Sequence, residues 1–212
     1  PAKQVPQEVK IGDVLKVFLY KDSKDRLIAT TNTPKLQLEQ LAVLEVLEIG
    51  KIGAFLDWGL EKDLFLPFKE MTRKVEPGDE ILVTLYIDKS RRLCATMKGI
   101  YDLLSKESPY KEGDTVQGRV YEFSDNFGTF IAVDDRYSAM IPRHEDCSFL
   151  RIGDIIEARV TKVKPDGELD LTMRQKAYLQ MNPDAEKVLE IIDEYAGVLP
   201  FNDKASPEVI KR

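Results

Sequence analysis

The chain has 212 residues, of which 31 are Lys or Arg and 37 are Asp or Glu, and its formal net charge is −6. A hydrophobic content of 43% is too high for a disordered chain, and no apolar run approaches the ~20 residues that span a bilayer. Two cysteines and one histidine exclude a disulfide scaffold, a four-thiolate zinc site and multi-histidine metal chemistry. We therefore expect a cytoplasmic protein with no metal and no cofactor.

A spacing motif occurs three times along the chain. In each copy a Gly-Asp pair follows a proline at the same distance of eleven residues: Pro1 and Gly12, Pro67 and Gly78, Pro142 and Gly153. An alternating pattern typical of a strand follows each pair, then a polar turn, then a second strand that ends in Thr. This repetition predicts three copies of one structural unit.

The second and third copies also share a front half. A Gly-x-Phe motif ends at Phe55 in the second copy and at Phe130 in the third, and its glycine lies fourteen residues before Pro67 or Pro142. The first copy has no front half. We therefore expect the sequence to be a fragment that lacks about 30 residues upstream of Pro1.

Each full copy predicts a small antiparallel barrel. Residues 36–106 and 107–177 contain short strands separated by Gly, Asp or Pro, without long helices. The five-stranded OB fold is the commonest barrel of this size in tandem arrays, and a small sandwich is the alternative. Because Gly-x-Phe favours a strongly bent sheet, we predict a mostly β protein of tandem OB barrels, with the back half of a truncated barrel at 1–35.

Helical patterns lie between and after the barrels. Residues 98–106 could form a short helix that stops before Pro109. Residues 183–195 have apolar positions at helical spacing, with Asn182 as N-cap, and Ser206 resembles the N-cap of a further helix. We predict that residues 178–212 are the incomplete start of another domain.

The Gly-x-Phe and Gly-Asp pattern resembles the RNA-binding domain named after protein S-one of the small ribosomal subunit. The resemblance implies that two aromatic residues flanking the Gly-x pair stack on bases, and that an Asp and an Arg around the last hairpin complete the site. The third copy has both aromatic residues, Phe127 and Phe130, whereas the second has Phe55 with Ile52 in the other place. The hairpin positions hold Asp and Arg in the first two copies and different residues in the third: Asp22 and Arg26, Asp88 and Arg92, Lys164 and Glu168.

The tandem order and the segment Leu199-Pro-Phe-Asn-Asp-Lys-Ala-Ser-Pro207 are similar to the bacterial conserved virulence factor B family. The resemblance implies three S-one type modules followed by a winged helix, RNA binding, and control of virulence-factor expression. It implies no catalytic site. The winged helix could add contacts with DNA or more RNA.

Aromatic faces stack on unpaired bases for roughly 1–3 kcal/mol each, while Lys and Arg follow the phosphates. The net charge of the second and third copies is −2 and −4, so binding would need a local basic patch. Each aromatic residue could instead belong to the core, and each cation could be an ordinary solvated charge. The candidate cations for such patches are Lys51, Lys89, Arg91 and Arg92 in the second copy, and Arg143, Arg159, Lys162 and Lys164 in the third.

The sequence contains no nucleophile elbow, no phosphate loop and no paired-His motif. We therefore expect that the protein is not an enzyme. The interpretation is a cytoplasmic RNA-binding protein that regulates gene expression after or during transcription and binds single-stranded RNA on its barrels. The alternative is a protein-interaction scaffold that docks on RNA polymerase, the ribosome or a partner regulator. The acidic balance and the incomplete sites favour the alternative.

Overall fold

A computed structural model describes residues 9–10, 12–22 and 26–174. Several predictions concern residues outside this part of the chain. They are the helices near 183–195 and Ser206, the further domain at 178–212, and the proline of the first repeat. In the described part of the chain, no helix has the length and apolarity that a membrane crossing requires.

The first copy contributes a two-stranded antiparallel hairpin, here called the N-terminal hairpin. It consists of β1 (Phe18–Lys21) and β2 (Leu27–Thr30), with Phe18 opposite Thr30. This pair corresponds to the two strands that the sequence places after each Gly-Asp motif.

The second copy forms a five-stranded antiparallel sheet in the order β5-β4-β3-β6-β7, here called the second-copy barrel. Strands β5 and β7, at the two edges of the sheet, approach each other and nearly close it. A 3-10 turn, Phe68–Glu70, lies in the long connection between the third and fourth strands of this barrel. The strands are β3 (Leu41–Ile49), β4 (Gly53–Asp57), β5 (Leu64–Pro67), β6 (Glu80–Ile87) and β7 (Leu93–Thr96).

The third copy forms a closed barrel in the order β10-β12-β11-β8-β9, here called the third-copy barrel. Closure comes from a short parallel pairing of β10 with β12. The prediction of a mostly β protein with tandem five-stranded OB-type barrels is confirmed. The strands are β8 (Thr115–Ser124), β9 (Gly128–Val133), β10 (Tyr137–Pro142), β11 (Ile155–Val163) and β12 (Leu169–Thr172).

The fourteen-residue spacing in the sequence is a strand register. Gly53 pairs with Pro67 across β4 and β5, and Gly128 pairs with Pro142 across β9 and β10. A Cβ atom on Gly53 would lie 2.2 Å from the carbonyl oxygen of Leu66, and one on Gly128 would meet a carbonyl at 2.1 Å. Only glycine fits so close to the neighbouring backbone, which fixes the residue type at the start of both strands.

The first strand of each barrel is bent by a bulge. The register of β3 against β4 shifts between Val46 and Glu48, and that of β8 against β9 shifts between Val120 and Glu122. A bulge turns the strand and increases its twist, so one half of β3 pairs with β4 and the other with β6. The strongly bent sheet expected from Gly-x-Phe is present in both barrels.

The Gly-Asp motif closes a turn by a side-chain hydrogen bond. The backbone N–H of Glu76 donates to the carboxylate of Asp79 at 3.0 Å, and that of Arg151 donates to Asp154 at 2.8 Å. The turn also pairs with the bulged strand, because the N–H of Gly78 donates to the carbonyl of Val46 at 2.8 Å. The repeated Asp therefore holds the strand that follows it in place.

The N-terminal hairpin packs on the second-copy barrel through Trp58. The indole is buried, and it meets the rings of Phe18 and Tyr20 edge-on at centroid distances of 5.8 and 6.0 Å. Tyr20 and Trp58 belong to the same apolar cluster as the barrel core residues Leu56 and Val83. The tryptophan therefore joins the hairpin to the barrel core.

A separate apolar layer joins the two barrels. Leu82 of β6 packs in one cluster with Ile100 and Leu104 of the connecting segment and with Tyr121 of β8. That segment contains one 3-10 turn, Tyr101–Leu103, where the sequence allowed a short helix over 98–106.

One buried arginine also crosses between the barrels. The guanidinium of Arg119 donates to both carboxylate oxygens of Asp135, at 2.8 and 3.3 Å, and to the backbone carbonyl of Glu80 at 3.3 Å. Because Arg119 and Asp135 belong to the third-copy barrel and Glu80 to the second-copy barrel, this side chain ties the two together.

Candidate nucleic-acid interface

The third-copy barrel has a groove of about 490 Å³ on the face predicted to bind RNA. We call it the third-copy groove. It brings together the predicted residues Phe127, Phe130 and Lys164 with five others: Tyr101, Glu122, Ser124, Met140 and Glu168.

The two predicted aromatic residues of this groove differ in exposure. Phe127 is 63% exposed, and its ring centroid lies 6.5 Å from that of Phe130. Phe130 is half-buried and packs against the apolar layer between the barrels. Phe127 can therefore present its ring to a ligand, while Phe130 presents one part of its ring and supports the fold with the rest.

Tyr101 is a third ring in the groove that the sequence analysis did not include. It comes from the segment between the barrels, is 36% exposed, and meets Phe130 edge-on at a centroid distance of 5.7 Å. The ammonium of Lys106 lies 5.4 Å from the Tyr101 ring centroid. No local pattern in the sequence marks this residue, because its partner Phe130 is distant along the chain.

Lys164 lies in the groove but is held by acidic neighbours. Its ammonium is 2.6 Å from the carboxylate of Glu168 and 3.2 Å from that of Asp170, and it also contacts the sulfur of Met140. Burial lowers the pKa of Lys164, but the hydrogen bonds to the two carboxylates outweigh this effect and raise it. The charge is thus retained and locally compensated, which weakens this lysine as a phosphate contact.

The last hairpin of each copy is closed by the same backbone hydrogen bond. The backbone N–H of the first residue donates to the carbonyl of the fifth, at 3.0, 2.9 and 2.8 Å in chain order. In the third copy the two side-chain charges are reversed, so that a Lys precedes a Glu where an Asp precedes an Arg elsewhere. The pairs are Asp22 and Arg26, Asp88 and Arg92, and Lys164 and Glu168.

The second-copy barrel has a corresponding groove of about 420 Å³, here called the second-copy groove. The predicted residues Phe55, Asp88 and Arg92 line it together, and the ring of Phe55 lies 5.5 Å from that of Phe65. The N-terminal hairpin supplies one wall of the groove. The lining also includes Tyr20, Lys21, Ile52, Trp58, Lys62, Asp63 and Cys94.

Asp88 organises the turn beside the second-copy groove. Its carboxylate accepts hydrogen bonds from the backbone N–H of Arg92 at 2.9 Å and from the N–H and hydroxyl of Ser90 at 2.8 and 2.7 Å. These bonds, that of Arg92 first, hold the pKa of Asp88 below its usual value. In the same groove, burial raises the pKa of Cys94 to about 11, so that its thiol stays protonated near neutral pH.

The other predicted site residues lie outside these two grooves. Lys51 and Lys162 are exposed, and Arg143 lines a separate depression of about 390 Å³ beside Cys147. Asp22 and Arg26 pair with each other at 2.6 Å in the N-terminal hairpin. Their role in binding stays a prediction.

The chemistry of both grooves suits contact with flat, unpaired bases. Each combines half-buried or exposed rings with a few charged groups at the rim, as stacking on single strands requires. Among residues 9–10, 12–22 and 26–174, no group of three or more His, Cys, Asp and Glu side chains could hold a metal ion.

Comparison with known proteins identifies the same modules. A model of the S1 domain family matches residues 1–32 and 40–98, and a model of the second domain of virulence regulatory factor CvfB matches residues 102–175.

Two curated relatives match along almost the whole chain. The chain is 26% identical to conserved virulence factor B of Staphylococcus aureus, over 96% of this chain and 70% of that protein. It is 27% identical to the protein of the same name from Staphylococcus saprophyticus, over 96% of this chain and 71% of the relative.

A solved structure shares the fold. It is described as a multidomain protein with nucleic acid binding domains from Streptococcus pneumoniae, and its TM-score is 0.58 at 24% identity. The match covers 96% of this chain and 75% of that one.

Proposed function

We propose that this chain is a member of the conserved virulence factor B family and a non-enzymatic RNA-binding protein that regulates gene expression. The matches to the S1 domain and to the second domain of CvfB support this proposal, as does the similarity to conserved virulence factor B along almost the whole chain. Its ligand is single-stranded RNA, which lies across the barrel faces with its bases against the aromatic side chains. Regulation after or during transcription follows from binding transcripts and does not require a catalytic group.

The exposed ring of Phe127 in the third-copy groove carries this proposal. A phenylalanine that is 63% exposed contributes little to the core. The ring of Phe130 lies beside it, and the ring of Tyr101 lies beside that of Phe130. Rings arranged in this way offer a platform for consecutive bases, and single-stranded RNA is the nucleic acid whose bases are most often splayed out for such contacts.

Phe127→Ala tests the platform directly. We expect this change to weaken binding of labelled single-stranded RNA by about 1–3 kcal/mol, the value of one stacking contact, with little change in melting temperature. Fluorescence anisotropy measures the affinity, and circular dichroism measures the melting. The matched control is Phe149→Ala, because Phe149 is also 63% exposed but does not line the groove, and it should leave affinity unchanged.

Three results would contradict the proposal, and the last of them favours its alternative. Equal loss in both variants would mean that exposed rings bind RNA nonspecifically. Tighter binding of single-stranded DNA than of RNA would make DNA the ligand. No association of the wild-type chain with any oligonucleotide at low salt would favour the protein-interaction scaffold.

A further inference from the structure

The third-copy groove is acidic where a phosphate-binding groove would be basic. Of the charged side chains that line it, only Lys164 is a cation, and its ammonium is 2.6 Å from the carboxylate of Glu168. Asp170 approaches the same ammonium at 3.2 Å. The remaining charged residue of the lining, Glu122, adds a further negative charge. This groove therefore repels the backbone of a nucleic acid and leaves the bases as the part that can enter.

Glu122 is placed to contact a base that lies on the aromatic rings. It is the direct cross-strand partner of Phe130 on β8 and β9, and side chains of such partners extend from the same face of the sheet. It follows the bulge of β8 and is exposed. Within the described part of the chain, its carboxylate makes no hydrogen bond or ion pair.

A carboxylate accepts hydrogen bonds and cannot donate them when it is ionised. Adenine, cytosine and guanine each carry an exocyclic amino group that can donate to it, as in the pairing of Glu or Asp with the cytosine N4 amino group. Uracil has no amino group, and its single ring N–H is flanked by two carbonyl oxygens that a carboxylate repels. A groove with Glu122 at its rim therefore favours amino-bearing bases.

We infer that the third-copy groove selects single-stranded segments whose bases carry an exocyclic amino group and discriminates against uracil, with Glu122 as the acceptor. The inference rests on the proposed function, since it concerns the nucleic acid bound on the same rings. Glu122 is then a specificity-determining residue, and the stacking rings supply affinity without choosing the base.

The test compares short labelled homo-oligomers of A, C and U on the full chain by anisotropy. We expect A and C to bind about five- to tenfold more tightly than U, the lower end of what one base-edge contact contributes to discrimination. Glu122→Gln should reduce this ratio to about twofold or less, because a glutamine amide can both donate and accept and so pairs with uracil as well. The matched control, Glu157→Gln, removes one exposed carboxylate of β11 outside the groove and should leave the ratio unchanged.

An oligomer of N4,N4-dimethylcytidine is a second probe, because it keeps the ring but has no amino hydrogen. It should bind as weakly as U to the wild-type chain and lose this disadvantage in Glu122→Gln.

Differences in stacking strength alone would leave the A, C and U ratios equal in wild type and Glu122→Gln, and that result overturns the inference. Equal affinity for A, C and U in the wild-type chain overturns it as well, while RNA binding stands. Absence of binding to every oligomer overturns both the inference and the proposed function.

Discussion

The ring of Tyr101 shows how one residue outside a repeat completes a site within it. It belongs to the 3-10 turn between the barrels, yet its closest ring neighbour is Phe130 of β9. Lys106 lies over the same ring and forms an ion pair with Asp166 of the last turn at 2.8 Å. The connecting segment therefore holds a third aromatic face against the third-copy groove.

Tyr101→Ala is expected to weaken RNA binding by about 1–3 kcal/mol, because a base loses one stacking surface. Tyr101→Phe keeps the ring and should bind as the wild type does. Anisotropy titration of both variants measures the effect. If the Tyr101→Phe and Tyr101→Ala variants bind RNA equally well, the ring takes no part in stacking and contributes only to the contact between the barrels.

The last hairpin of each copy carries its charges as a pair across the turn. In the third-copy barrel the pair is Lys164 with Glu168, and Glu168 is buried, where it also accepts a hydrogen bond from the hydroxyl of Ser138 at 3.2 Å. A buried carboxylate needs its cation, since removal of one partner leaves an uncompensated charge in the interior.

Lys164→Ala should therefore lower the free energy of unfolding by about 3 kcal/mol, the lower end for breaking a buried ion pair, because Lys164 itself is partly exposed. Lys162→Ala is the matched control, because Lys162 is an exposed lysine near the end of β11, just before Lys164, and its loss should change stability by less than about 0.5 kcal/mol. Urea denaturation measures both. Equal midpoints for the two variants would show that Glu168 does not depend on Lys164.

The strands could be predicted from the sequence because the patterns that indicate them span only one strand or one hairpin. The fourteen-residue distance from Gly53 to Pro67 is set by one hairpin register, and the alternation after each Gly-Asp pair spans a single strand. The bent sheet followed for the same reason, since a glycine beside a strand marks a close approach.

The side-chain contacts in the grooves could not be predicted from the sequence in the same way. The half-burial of Phe130 comes from the apolar layer between the barrels, and Asp170 approaches Lys164 only when β11 and β12 pair. The wall that Tyr20 provides for the second-copy groove depends on hairpin packing against Trp58. Each of these features requires contacts between elements, which spacing in one copy does not encode.

On the scale of the whole molecule, the two grooves differ in charge. The second-copy groove is lined by three cations, Lys21, Lys62 and Arg92, and by two acidic residues. The third-copy groove is lined by one cation and two acidic residues. Arg119 and the apolar layer hold the two barrels together. A strand that contacts both grooves therefore meets phosphate contacts mainly in one and base contacts mainly in the other.

This division predicts how affinity responds to salt. The logarithm of the affinity should fall linearly with that of salt concentration, with a slope of roughly −0.7 for each phosphate contacted, and we expect an overall slope between about −1.5 and −4. Lys62→Met should make the slope less negative by about one contact. Lys111→Met changes an exposed lysine outside both grooves and should have no effect. An unchanged slope in Lys62→Met would place the phosphates elsewhere.

The reversed charge pair in the last hairpin also constrains how the copies of this chain diverged from one another. Asp88 precedes Arg92 in one barrel and Lys164 precedes Glu168 in the other, on the same backbone turn. Exchange of only one partner would set Asp against Glu or Lys against Arg, and like charges facing each other destabilise the strands that hold them. An ancestral copy could change polarity only through a neutral intermediate or by two coupled replacements. In homologous turns we therefore expect either order of the two opposite charges, acidic residue first or basic residue first. Pairs of like charge should be selected against.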